Sequence, residues 1–321
     1  MRLNGLTKVR ARLSTLTTQR ESNTLTLPDG RIIGYAEFGH PEGFPLLFFH
    51  GFPASRLEAT GADKIARRHR VRVIALDRPG FGLSTFQPGR RITDWPADVL
   101  AFAGHAKLNR FAILGGSGGG PYALACAHLL PKEMMSAVGV MAGAPPWEAG
   151  AKHMTLPRRV TSLMAIHTPT AFGYLMDALV GLMRWAVTSG PVTRRIDKWL
   201  ELENREEKSR TILEQRERIL RIAFDGFAQG SQAFVQEAQL LSAQSWGFRF
   251  EDVSYNPIHI WHGTKDTSAP FVMIQYMSKR LPHSVLHECE GDTHFTMVKH
   301  LEQILRELVG HSSETESRKT D

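Results

Sequence analysis

Apolar residues in this chain fall into short continuous runs separated by breaks rich in glycine, proline and charge. A first segment, residues 25–27, is joined to residues 32–38 by Pro28-Asp29-Gly30, and this predicts a β-hairpin with turn residues where the chain must reverse. Six further runs follow, at 45–50, 71–77, 111–115, 137–141, 257–262 and 285–289. They lack the alternation of a half-exposed strand, so they suit strands buried on both faces. Helix-like segments lie between several of them, near 55–68, 93–106, 120–130, 270–280 and 295–309. Strands alternating with helices imply right-handed crossovers and a mostly parallel central sheet flanked by helices, an α/β fold.

From about Trp147 to Phe250 no strand pattern is found. Residues 200–223 carry Glu, Arg, Leu and Ile at helical spacing, the mark of an amphipathic helix. A helical insertion between two sheet strands is the simplest reading. Residues 160–183 are apolar enough and long enough to cross a bilayer, but they contain His167, Thr168, Pro169, Gly173 and Asp177. Two helices split near Pro169 are expected there, and no stable membrane span. The expected organisation is a basic flexible tail (1–22), a core (23–146 and 251–311), a helical cap (147–250) and a disordered C-terminal tail (312–321).

Composition narrows the class. The chain has 321 residues, 42% of them hydrophobic, and a formal charge of +7. Arg2, Lys8, Arg10, Arg12 and Arg20 supply much of that excess within the first twenty residues, so the body is mildly basic and nucleic-acid binding is not expected. The Arg, Ser and Thr content of this segment resembles a mitochondrial transit peptide, an alternative to the expected cytoplasmic location. Cys126 and Cys289 form neither a disulfide framework nor a metal-type spacing.

The chemistry centres on Gly115-Gly116-Ser117-Gly118-Gly119, between the 111–115 strand and the 120–130 helix. A phosphate loop would need Lys and then Ser or Thr after the glycines, where Pro121-Tyr122 stand. A dinucleotide fingerprint would open the first strand–helix unit, and this motif follows the fifth apparent strand. The remaining reading is G-x-S-x-G, a sharp turn that exposes one serine hydroxyl. Such a hydroxyl needs a base and an acid that orients the base. Asp266 follows the strand ending at His262-Gly263, and His294 follows the strand ending near Cys289-Glu290-Gly291. His287 and His300 read as structural, His50 as a brace, Asp77 as the holder of its own glycine loop and Cys126 as packed; Asp292 is too close to His294 to orient it.

Serine, aspartate and histidine in this order resemble the α/β-hydrolase fold superfamily, with a helical cap. His50-Gly51-Phe52-Pro53 is similar to its oxyanion turn, Asp77-Arg78-Pro79-Gly80-Phe81-Gly82-Leu83-Ser84 to its D-x-P-G-x-G-x-S loop. His262-Gly263-Thr264-Lys265-Asp266 and Gly291-Asp292-Thr293-His294-Phe295 are similar to its acid and histidine loops, and the resemblance covers about residues 24–310. It implies a cofactor-independent serine hydrolase without metal: Ser117, His294 and Asp266 as triad, with the Phe52 and Gly118 amides as oxyanion donors. Relatives with an aspartate nucleophile, the dehalogenases and epoxide hydrolases, are excluded by Ser117.

The bond cleaved stays open. Carboxylester hydrolysis of a small molecule is the first expectation; thioester, diketone C–C and proline iminopeptidase-like hydrolysis are alternatives. Met154, Leu163, Met164, Phe172, Tyr174 and Met176, with Leu179 and Met183, are expected to roof a medium-sized apolar acyl group, or simply to pack the cap. A peptidase would need an acidic anchor, for which Glu148, Asp177, Glu201 and Asp225 are candidates. A non-catalytic binding protein on the same fold, and a cap that touches membranes peripherally, are further alternatives.

Overall fold

The first apolar segments pair as the expected hairpin, β1 (Asn23–Thr26) antiparallel to β2 (Ile32–Gly39). This computed structural model describes residues 19–203 and 211–317. The later runs become β3 (Phe44–Phe49), β4 (Val71–Leu76), β5 (Phe111–Gly116), β6 (Met135–Met141), β7 (Ile258–Gly263) and β8 (Ser284–Cys289). They form one sheet in the order β1-β2-β4-β3-β5-β6-β7-β8, antiparallel at β1-β2-β4 and parallel from β4 to β8. The continuously apolar β5 and β7 are buried along their whole length, whereas β8, at the sheet edge, is half exposed.

Among the described residues, three α-helices precede the insertion: α1 (Asp63–Arg68), α2 (Trp95–His105) and α3 (Gly120–Leu129). Between β6 and β7 the described residues form α4 (Leu156–His167), α5 (Pro169–Val187), α6 (Gly190–Glu203), α7 (Ile212–Phe224) and α8 (Gln232–Leu241). Then come α9 (Phe271–Arg280) and α10 (Leu301–Ser317). Successive strand residues point to opposite faces and so build two cores. Leu47 and Phe49 of β3 pack with Trp95 and Phe102 of α2 and Tyr122 of α3. Leu46 and Phe48 face the other way, into a core shared with Ala66 of α1 and Ile304 and Leu308 of α10. Burying each such side chain stabilises the fold by about 2 kcal/mol.

The inserted helices have a third cluster of their own, in which Phe172 and Val180 of α5 meet Phe234 and Val235 of α8. Pro169, which has no N–H to continue a helix, opens α5 and separates it from α4 at the expected point. No helix of the described residues is long and apolar enough to cross a membrane.

Both chain ends depart from expectation. Residues 19–22 belong to the fold, because the buried Glu21 pairs with Arg218 and Arg221 of α7 and its carbonyl accepts from Arg56. At the other end α10 continues through 312–317, where no proline interrupts the backbone ladder. The rest of both expected tails, 1–18 and 318–321, lies outside the described residues.

Candidate active site

Parallel strands deliver their C-terminal ends to one sheet edge, and the chemistry gathers there. Ser117 leaves β5 with φ of +47°, a left-handed conformation that costs a non-glycine residue roughly 1–3 kcal/mol. The turn closes only because of what surrounds it: a Cβ on Gly119 would collide with the Phe49 carbonyl oxygen. The Ser117 carbonyl is anchored by the Ala144 amide at 2.8 Å, so the hydroxyl is held above the sheet edge.

His294 Nε2 stands 2.9 Å from Ser117 Oγ, and His294 Nδ1 stands 2.7 Å from Asp266 Oδ2. The acid is fixed in turn, since Asp266 Oδ1 accepts from the amides of Ser268 (2.7 Å) and Ala269 (2.8 Å). His262 Nε2 lies 3.3 Å from Asp266 Oδ2 and bonds the Ala269 carbonyl at 2.8 Å. Burial works against a charged carboxylate here, but the bonds from His262, His294 and the Ala269 amide outweigh it and hold Asp266 well below the usual carboxylate range. The three groups chosen by chain order are thus brought into one hydrogen-bonded line.

Phe52 and Gly118 also meet: a Cβ on Gly118 would lie 3.1 Å from the Phe52 nitrogen. Gly118 is in the first turn before α3, where N–H groups lack acceptors within the helix. The Phe52 ring stacks on Phe234 of α8 at 4.8 Å, which anchors the turn under the inserted helices. His50 braces it from below, bonding the Gly51 carbonyl through Nδ1 (2.8 Å) and accepting the Arg78 amide at Nε2 (3.1 Å). Burial, reinforced by the Arg78 charge, pushes His50 well below the ordinary histidine range, so the ring stays neutral.

The competing residues are engaged elsewhere. Asp77 accepts from the Arg56 amide (2.6 Å), Arg56 Nη1 (2.8 Å) and the Leu83 amide (2.9 Å), and burial raises it to about 6. Asp292 pairs with Lys299 and His300, and His287 with His259. Cys126 is buried, and burial pushes its thiol up.

A cavity of about 520 Å³ opens at Ser117 and His294. Its walls correct the expected apolar roof. Met154, Leu163, Met164, Phe172, Tyr174 and Met176 do not line it, nor do Leu179 and Met183. Phe172 is buried among the inserted helices, with Met164 and Met176 packed against that cluster, and Met154 is buried too. Leu163 and Tyr174 point outward, 55% and 73% exposed. Part of the helices' apolar surface is buried among themselves, much of the rest faces outward, and Arg158 is what α4 contributes to the cavity. The apolar walls come instead from the core residues Phe48, Leu114, Met297 and Leu301, together with the exposed Val298. None of Glu148, Asp177, Glu201 and Asp225 lines it; the carboxylate that does is Glu58.

Such an arrangement can transfer a proton from Ser117 to His294. Known proteins with this framework are varied. The chain is 36% identical over 125 residues to a non-heme chloroperoxidase of Streptomyces lividans, 38% of this chain and 45% of that protein. It is 31% identical over 121 residues to a proline iminopeptidase of Xylella fastidiosa, 35% of this chain and 37% of that one. These matches span less than half the length of either relative. Among solved structures, an esterase from Exiguobacterium antarcticum superposes with a TM-score of 0.62 at 18% identity, covering 90% of this chain and 98% of that one. The enol-lactonase of Burkholderia xenovorans LB400 gives 0.60 at 16% identity, covering 91% and 100%. The family model described as "Alpha/beta hydrolase family" matches residues 46–307, which span the sheet from β3 to β8 and all four loops that meet at Ser117; the chain belongs to that family.

Proposed function

We propose that the protein is a serine hydrolase that cleaves carboxylic esters through an acyl-enzyme. The observation that carries this reading is the unbroken line Ser117–His294–Asp266, at 2.9 and 2.7 Å. Ser117 Oγ attacks the ester carbonyl as His294 Nε2 takes its proton, and the oxyanion forms against the Phe52 and Gly118 amides. Collapse expels the alcohol, which leaves with the proton from Nε2. Water then repeats the sequence on the acyl-enzyme, releasing the acid and restoring Ser117. Asp266 keeps Nδ1 protonated and stabilises the imidazolium. Each preorganised oxyanion donor lowers the barrier by about 3–4 kcal/mol. This chemistry needs neither metal nor organic cofactor. The apolar walls at Phe48, Leu114, Met297 and Leu301 support a medium-sized apolar acyl group lying against the core.

Ser117→Ala is expected to abolish turnover of 4-nitrophenyl acetate in a protein that still folds, and an active-site-directed fluorophosphonate is expected to label Ser117 in the native chain. Full activity in the variant overturns the assignment. A folded native protein that takes no label would instead favour a binding protein without chemistry.

A further inference from the structure

Glu58 is the one acidic side chain lining the cavity among the described residues, and the proposed mechanism does not use it. It stands in the Arg56–Ala62 turn that follows the oxyanion loop. Its Oε2 accepts the Gly51 amide at 2.5 Å, a bond that braces the loop. Its other oxygen, Oε1, meets no donor among the described residues. A methyl group placed on Gly51 would lie 3.1 Å from Oε1 and 3.3 Å from Ser117 Cβ, so carboxylate and nucleophile flank the same point.

We propose that Glu58 recognises a substrate ammonium group, which makes α-amino acyl esters with an apolar side chain the preferred acyl donors. The argument is electrostatic. Attack by Ser117 builds negative charge at the Phe52 and Gly118 amides, next to Gly51, and a bare carboxylate there opposes it. An ammonium beside Oε1 cancels that repulsion and donates to it a charged hydrogen bond. The other charges that reach Glu58 are already committed. Arg78 is paired with Glu237, and His294 is hydrogen-bonded to Asp266. Glu58 is an exposed residue, and the Gly51 bond and the Arg78 charge act against the desolvation that pushes its carboxyl up. Arg158, the other charged residue of the cavity that is not part of the triad, couples to Asp266 on the imidazole side and leaves Glu58 unneutralised. An α-amine sits one carbon from the scissile carbonyl, so it occupies the gap between Ser117 and Glu58 while the side chain enters the apolar part of the cavity.

This inference rests on the acyl-transfer reading of Ser117, and its test separates the two. The 4-nitrophenyl esters of alanine and propionate differ only by the ammonium and are compared at slightly acid pH, where the amine is charged. The native protein is expected to prefer the alanine ester in kcat/KM by about 10- to 100-fold, the scale of one charged hydrogen bond. Glu58→Gln keeps an acceptor for the Gly51 amide and is expected to bring that ratio near one, chiefly through KM; Glu58→Asp is expected to recover part of it. A native preference for propionate, or a ratio unchanged in Glu58→Gln, overturns the proposal and leaves the hydrolase reading intact. Alaninamide titrated into Ser117→Ala and Ser117→Ala/Glu58→Gln reads the site without turnover. Glu58-dependent binding in a protein that hydrolyses neither ester would support the ammonium site and sink the hydrolase reading, and absence of both binding and turnover overturns both.

Discussion

Asp266 divides its two oxygens between jobs: Oδ1 is tied to the backbone by two amides and Oδ2 faces His294. Asp266→Asn leaves a side chain of the same shape but presents an amide where Nδ1–H needs an acceptor. The imidazole is then held in the wrong tautomer, and kcat for a nitrophenyl ester is expected to fall about 10³- to 10⁴-fold with KM little changed. A loss under tenfold would show that Asp266 does not orient the base. Because the folded carboxyl is held below its ordinary value, its contribution to stability is complete above the unfolded carboxylate range and is lost as pH falls through and below it. The difference in urea midpoint between native protein and Asp266→Asn should therefore shrink on going from neutral to strongly acid solution. The proximity of Ser117, His294 and Asp266 was legible because each occupies a loop after a strand of one parallel sheet, where chain order alone brings loops together. Glu58 was not. Nothing in the spacing Arg56-Leu57-Glu58 distinguishes a carboxylate that faces a cavity from one that faces water.

Among the elements, continuous apolar runs identified the buried strands well, since a strand covered on both faces has no polar side to show. The inserted helices illustrate the limit of the same reasoning. Periodicity reveals that a helix has an apolar face, but not which neighbour covers it. Phe172 of α5 is 4% exposed and lies 5.9 Å, ring to ring, from Phe234, whereas Leu182 on the same helix is 58% exposed. Phe172→Ala should therefore cost about 3–5 kcal/mol in the unfolding of the inserted helices. Leu182→Ser should stay within about 0.5 kcal/mol. Because neither residue lines the cavity, acetate ester turnover in Leu182→Ser should match the native protein. Comparable destabilisation of the two variants by urea titration would contradict the packing described for α5 and α8.

Across the whole molecule, the inserted helices and the proposed oxyanion turn are joined through one buried charge cluster that no local pattern announces, its partners lying 115 to 159 positions apart. Glu237 of α8 pairs with Arg78 at 3.0 Å and with Arg90, and accepts the Tyr122 hydroxyl at 2.7 Å. Arg78 in turn donates to the His50 carbonyl and, at 3.0 Å, to the Gly51 carbonyl. It therefore positions the backbone that carries the Phe52 amide. Burial raises the Glu237 carboxyl, but the charges of Arg78 and Arg90 overcome this and keep it below its ordinary value. Glu237→Gln would leave two buried guanidinium groups without their counter-charge. Removing one partner of a buried ion pair typically costs about 3–5 kcal/mol, far more than a surface pair contributes. The folded pKa being lowered, that deficit should be complete above the unfolded glutamate range, near 4.5, and shrink as pH falls below it. With Arg78 no longer held from the helix side, its grip on the turn loosens and kcat for an acetate ester should drop, although Glu237 touches neither Ser117 nor the cavity. Measured together, urea midpoint and kcat decide the matter. A variant that loses stability but keeps full kcat would show that the cluster fastens the helices to the core without aligning the oxyanion turn.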